Sequence, residues 1–265
     1  MNKITCIENY INYSKEDTSQ FSCFIIEPLE IGQGITLGNS LRRTLLSELS
    51  GYTITGVRLN NLKHEFENSN SLREDTLEIL LNLKEILFKG PYHIKSDMLK
   101  SKVTFTLNIK GPAIITAGLL NATINKSNDI IQIINPSAYI CTITDKSLFY
   151  LELDIEKNKG YVLNENNKFE DIKNILHPLK PNTLLIDSIY MPIVNVNYKI
   201  KIINDIKGHI KESLHLNIIT NGTISPHRCL KEALKMLLNV LIPLFLDAEF
   251  LNLYAELLSV YDFEN

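Results

Sequence analysis

The sequence predicts an α+β fold built mainly from antiparallel strands. Three observations carry this reading. Segments that alternate apolar and polar residues dominate from about residue 102 to 156 and again from 183 to 222. A glycine-punctuated helical stretch, EIGQGITLGNSLRRTLLSEL (30–49), lies between two earlier strand-like runs. The chain closes on a second amphipathic stretch, SPHRCLKEALKMLLNVLIPLF (225–245). Strands, helix, more strands and helix is not the strict alternation that builds a parallel sheet.

Each element follows from local chemistry. FSCFIIEPLE (21–30) and YTITGVRLNN (52–61) read as strands. Between them, at about 100° per residue, Leu37, Leu41, Leu45 and Leu49 form one buried stripe of a helix. A second helix is expected over SLREDTLEILLNLKEILFKG (71–90), with Ser71 and Glu74 spaced as a capping box and Gly90-Pro91 as the stop. It is apolar over most of its circumference, with Glu78, Asn82 and Glu85 on its polar side, so it is expected to be sandwiched in a core. KVTFTLNIK (102–110), DIIQIINPSAYICTIT (129–144) and LFYLELDIE (148–156) read as strands. EKNKGYVLNENNKFEDIKN (156–174) reads as a polar loop. TLLIDSIYMPIVNVNYKIKII (183–203) and ESLHLNIITNG (212–222) alternate as antiparallel strands. The last helix has Ser225 as N-cap and Pro226 at its first position, and Pro243 is expected to kink or end it.

Composition narrows the function. Lysine and arginine number 27 against 30 aspartates and glutamates, a net charge of −3. Gripping nucleic acid unaided usually takes a basic chain, because phosphate neutralisation supplies most of that affinity. Contact with DNA is therefore expected only through partner chains. Cys6, Cys23, Cys141 and Cys229 form no CxxC pair, and no secretory signal precedes them, so reduced thiols are expected. The longest apolar run, MLLNVLIPLFL (236–246), is too short to span a bilayer.

The glycine turn invites a phosphate reading. Gly32, Gly34 and Gly38 give G-x-G-x-x-x-G, one residue too long for the dinucleotide fingerprint, and the turn has no lysine for a P-loop. A stand-alone nucleotide-binding enzyme using this turn is the alternative, and it predicts saturable nucleotide binding. The plainer reading is a tight turn followed by a close helix crossing at Gly38. HEFEN at 64 fails as a zinc pair because residue 68 is Asn. The histidines show no ligand spacing, and no nucleophile elbow or carboxylate cluster occurs, so no catalytic or metal residue is expected.

Surplus apolar surface points elsewhere. Leu230, Leu234, Leu237, Leu238 and Leu241 form the stripe of the last helix, and Met236, Val240 and Ile242 widen it. Either a second chain or a fully enclosed helix accounts for so wide a face. On the first helix Arg43 lies opposite Leu41, with Leu46 between Arg43 and the stripe. An apolar leucine beside an arginine off the core face suits a protein interface or a snorkelling arginine.

Seven motifs in order now carry a resemblance: EPLEIGQGITLGNSLRRTLLSEL, LREDTLEILLNLKEI, KGPAIITAGLL, IINPSAYICTITD, KGYV, LLIDSIYMPIVNVNY and ITNGTISPHRCLKEAL. Together they resemble the alpha subunit of bacterial-type RNA polymerase. The resemblance implies a dimerisation domain of antiparallel sheet plus helices, residues 1–57 and 183–265, interrupted by an inserted mainly-β domain at 58–182. It implies a homodimer seam at Leu37, Leu41, Leu45, Leu230, Leu234, Leu237, Leu238 and Leu241. An archaeal- or eukaryotic-type scaffold would instead pair as a heterodimer. The resemblance places Arg42, Arg43, Leu46, Glu78 and Lys84 where the beta-type subunit docks, and Lys159, Gly160, Tyr161 and Val162 in a loop near the large subunits. The alpha dimer recruits the beta-type and then the beta-prime-type subunit. Those partners carry the active site and its magnesium, so this chain is expected to hold no cofactor and no catalytic residue. Two departures follow. The chain ends at Asn265, so the family's C-terminal DNA- and activator-binding domain is expected to be absent. The loop after KGYV lacks the family's usual Pro-Ala continuation. An abundance of Ile, Asn, Lys and Leu with no transit peptide suits a product of a plastid, located in its stroma, with a bacterial cytoplasm as the alternative.

Overall fold

The computed structural model describes residues 3–11, 18–60, 62–90, 103–120, 131–163, 181–204 and 209–246 of the 265-residue chain. Antiparallel strands dominate, as the alternation predicts. The first sheet has the order β1-β2-β14-β13, from β1 (Lys3–Ile11), β2 (Gln20–Leu29), β13 (Ile193–Asn204) and β14 (Ile210–Thr220). Two helices, α1 (Gln33–Ser47) and α3 (Pro226–Leu246), accompany this sheet. Its core gathers Phe24, Ile26, Leu41, Leu45, Leu49, Val196, Leu214, Leu216, Leu230 and Ala233.

The second sheet has six strands. β5 (Val103–Lys110), β9 (Leu148–Lys159), β3 (Ser50–Leu59), β4 (Phe88–Lys89) and β7 (Gln132–Ile133) lie in that order, and β11 (Leu184–Leu185) also pairs with β3. Two small pairs complete the fold: β6 (Ala113–Thr116) with β8 (Tyr139–Ile143), and β10 (Tyr161–Val162) with β12 (Ser188–Ile189). Helix α2 (Thr76–Lys84) packs on this part through Ile79, Leu80 and Leu83. The buried members of this core run from Ile54 to Ile186, whereas those of the first core come from 24–49 and 193–233.

Helix α1 explains the glycines. Gly32 takes φ +89°, a left-handed turn that glycine adopts at little cost, and stands as the N-cap. A Cβ on Gly38 would come within 2.8 Å of the Tyr198 ring and 3.0 Å of the Leu214 side chain, so the helix lies against β13 and β14 with no room for one. The helix N-terminus is indeed an anion site, but the chain fills it. Glu212 on β14 accepts hydrogen bonds from the Gly32 N–H (3.0 Å) and the Gly34 N–H (2.9 Å). A phosphate here would have to displace a carboxylate, which removes the basis of the nucleotide-binding alternative. Glu212→Ala is expected to cost about 1–2 kcal/mol, the scale of a lost helix cap. A urea midpoint that falls with unchanged m-value would check it.

Five local expectations need correction. Helix α2 begins at Thr76 after Asp75 and ends at Lys84, not at Gly90. Ser71 and Glu74 form no capping box. The buried Glu74 carboxylate instead accepts from the Thr142 N–H (2.7 Å) and the Tyr139 hydroxyl, tying the segment before α2 to β8. The helix is not sandwiched either, for Leu77 and Leu81 are exposed. Pro243 does not end α3, which continues to Leu246. Pro243 lacks the N–H that would reach the Asn239 carbonyl, and this stretch of helix is exposed, so solvent has access to that carbonyl. Finally, KNKGYV belongs to strands β9 and β10 rather than to a loop, while 164–174 lies outside the described residues. Among the described residues no helix is long and apolar enough to cross a membrane.

Candidate subunit interface

The C-terminal half of α1 presents two faces. Leu41, Thr44 and Leu45 are buried, whereas Arg42 and Arg43 are exposed. Leu46 is half-buried and packs partly on the core, so it flanks the arginines rather than standing free. Ser40, Thr44 and Ser47 donate their hydroxyls back to carbonyls one turn earlier.

The expected large-subunit loop lies beside this helix end. Lys159, the last residue of β9, pairs with Ser50, and its ammonium meets the Glu48 carboxylate at 2.8 Å. Gly160 then turns with φ +72° and its carbonyl accepts the Tyr190 N–H at 2.9 Å. Tyr161 pairs with Ile189, and its hydroxyl donates to Asp187. The same Asp187 carboxylate stands 3.8 Å from the Lys84 ammonium of α2. Glu48, Lys159–Val162, Asp187 and Lys84 thus form a line of contacts from the end of α1 through β10 to α2, and Arg42 and Arg43 are exposed one turn earlier on α1. Glu78 is exposed earlier on α2. Sequence reasoning missed Glu48 and Asp187, together with the exposed Ile189 and Met191 beside them. Glu48 and Lys159 are 111 positions apart, and no local pattern joins them.

The expected dimer residues divide. Leu41, Leu45 and Leu230 lie in the chain's own core, so their side chains are not offered to a second chain. Leu37, Leu234 and Leu237 are half-buried against that core. Only Leu238 and Leu241 of the expected set are exposed. The far half of α3 adds Val240, Ile242, Leu244 and Phe245 to the exposed apolar surface. The helix extends beyond the sheet that it packs on, which sequence periodicity alone does not reveal.

Among the described residues Cys23, Cys141 and Cys229 form no disulfide, and burial pushes the Cys141 and Cys229 thiols up to about 12, so neither ionises at neutral pH. Among the described residues, no three His, Cys, Asp or Glu side chains come together as metal ligands.

The model of the RNA polymerase Rpb3/RpoA insert domain matches residues 57–191. A DNA-directed RNA polymerase subunit alpha from Pyropia yezoensis is 40% identical over 238 residues, covering 90% of this chain and 69% of the relative. The one from Cyanidium caldarium is 38% identical over 260 residues, 98% of this chain and 75% of the relative. The chain belongs to the DNA-directed RNA polymerase alpha subunit family. A third member, from Guillardia theta, is 38% identical over 243 residues. The family carries a part in transcription, and relatives from the plastid genomes of algae support a plastid setting. In this chain the glycine turn is an architectural device, as Gly38 and Glu212 already indicate.

Proposed function

We propose that this chain is a non-catalytic alpha subunit of a plastid RNA polymerase. In this reading it works in the stroma, pairs with a second copy through α3, and seeds assembly by presenting the α1 end to the beta-type subunit. The beta-prime-type subunit follows, DNA is met only through the assembled enzyme, and the magnesium belongs to the partners. The outer segments and the inserted segment act as separate units, the first for dimerisation. The observation that carries the reading is the continuity of Glu48, Lys159, Tyr161, Asp187 and Lys84 along one surface, beginning at the end of the helix that exposes Arg43. Arginine suits the centre of such a surface, since its planar fork makes bidentate contacts that lysine cannot copy.

The test is Arg43→Ala. The side chain is exposed and off the buried stripe, so folding and dimerisation are expected to be unaffected. Recruitment of the beta-type subunit is expected to weaken by about 2 kcal/mol or more, the scale of a central interface arginine. Arg43→Lys should restore only part of it. Circular dichroism and sizing check the fold, and pull-down of the beta-type subunit checks the contact. Normal capture by a folded Arg43→Ala dimer would remove Arg43 from the interface.

A further inference from the structure

Glu48 is a residue that its own helix does not want. It is the C-cap of α1, where carbonyls concentrate negative charge and a cation is favoured. The last turn of α1 holds no basic residue to offset it. The cation comes from a distant strand instead: Lys159 reaches Glu48 at 2.8 Å, with both side chains half-exposed. A local cost tolerated for a tertiary contact points to a role beyond helix stability. Lys159 opens the short stretch that turns at Gly160, and the other side of that stretch is tied through Tyr161 and Asp187 to Lys84.

We infer that Glu48 is a positioning residue for docking of the large subunits: its ion pair with Lys159 holds the Lys159–Val162 stretch against the α1 end, so that the helix end and this stretch meet the partner as one preset surface. The inference rests on the proposed docking role of α1. Ordering the stretch in advance spares the entropy that would otherwise be lost on binding.

The experiment uses the full-length tagged dimer and the beta-type subunit of the same polymerase. Glu48→Lys and Lys159→Glu are each expected to weaken capture about two- to fivefold, the range of one exposed ion pair. The double swap Glu48→Lys with Lys159→Glu should restore capture, because the pair re-forms with its charges exchanged. Circular dichroism and sizing should show an intact dimer throughout. Unchanged capture by both single variants overturns the role of Glu48. So does a double swap no better than the single variants, which would mean that the charges touch the partner directly. Arg43→Ala runs in parallel. If it weakens capture and Glu48→Lys does not, the positioning role alone fails. If it leaves capture unchanged, the docking reading fails and the positioning role with it.

Discussion

Arg58→Met is expected to destabilise the chain by about 3–5 kcal/mol, the cost of removing one partner from a buried ion pair. Arg58 sits on β3, on the face of the second sheet opposite the Ile54, Val57 and Leu59 core. Its guanidinium donates to Glu152 at 2.8 Å and to both oxygens of Asp154 at 2.8 Å, and also to the Thr183 hydroxyl at 2.9 Å. All three charged side chains are buried. The hydrogen bonds to Asp154 hold the guanidinium above its ordinary range, against the opposing effect of burial, and Glu152 adds to them. Methionine fills much of the volume but leaves two carboxylates facing each other without a counter-charge. Arg58→Lys should recover only part of the loss, since an ammonium cannot serve both carboxylates with a planar fork. Urea unfolding followed by circular dichroism measures the change. A loss below about 1 kcal/mol would mean that water reaches the pair and screens it as at a surface.

That ion cluster marks the limit of what the sequence discloses. In LFYLELDIE the carboxylates at 152, 154 and 156 fall on one face by period two, and such a face normally reads as solvated. Their arginine lies 94 and 96 positions away, and only the pairing of β3 with β9 brings it opposite Glu152. The same physics separates the other successes and failures. Helix α1 was legible because glycine, leucine spacing and helix length are local properties. Strand β1 was not, because its register with β2 shifts between Cys6 and Glu8. A bulge there breaks the alternation on which a strand is recognised. Ser71 and Glu74 have capping-box spacing, yet Glu74 is spent on Tyr139 and Thr142, residues that the sequence places far away. At the candidate interface Arg43 and Lys159 are named through motif resemblance, whereas Glu48 and Asp187 emerge only when β9 and β12 are set beside the helices. The apolar stripe of α3 was plain, but periodicity could not tell Leu230, which the chain covers itself, from Leu241, which it does not.

That distinction yields the second large effect. Leu241→Glu together with Phe245→Glu is expected to split the proposed homodimer. Both residues are exposed in the single chain, so neither change removes a contact from the chain's own core. They belong to the run of exposed apolar side chains at Leu238, Val240, Leu241, Ile242, Leu244 and Phe245, more than a lone surface leucine needs to explain. Fully burying a large apolar side chain is worth about 1.5–3 kcal/mol, so two give about 3–6 kcal/mol. Dissociation should therefore become easier by about a hundredfold to ten-thousandfold. Leu230→Ala on the same helix is the contrasting case. Leu230 is buried against the first core, so its truncation should lower unfolding stability by about 2–5 kcal/mol instead of acting first on dimerisation. Analytical ultracentrifugation of the three proteins, alongside their urea curves, separates the two signatures. A wild-type chain that sediments as a stable monomer would refute the dimer. A dimer that survives both glutamates would move its seam away from the far half of α3, toward the exposed Ile31 and Ile35 at the start of α1.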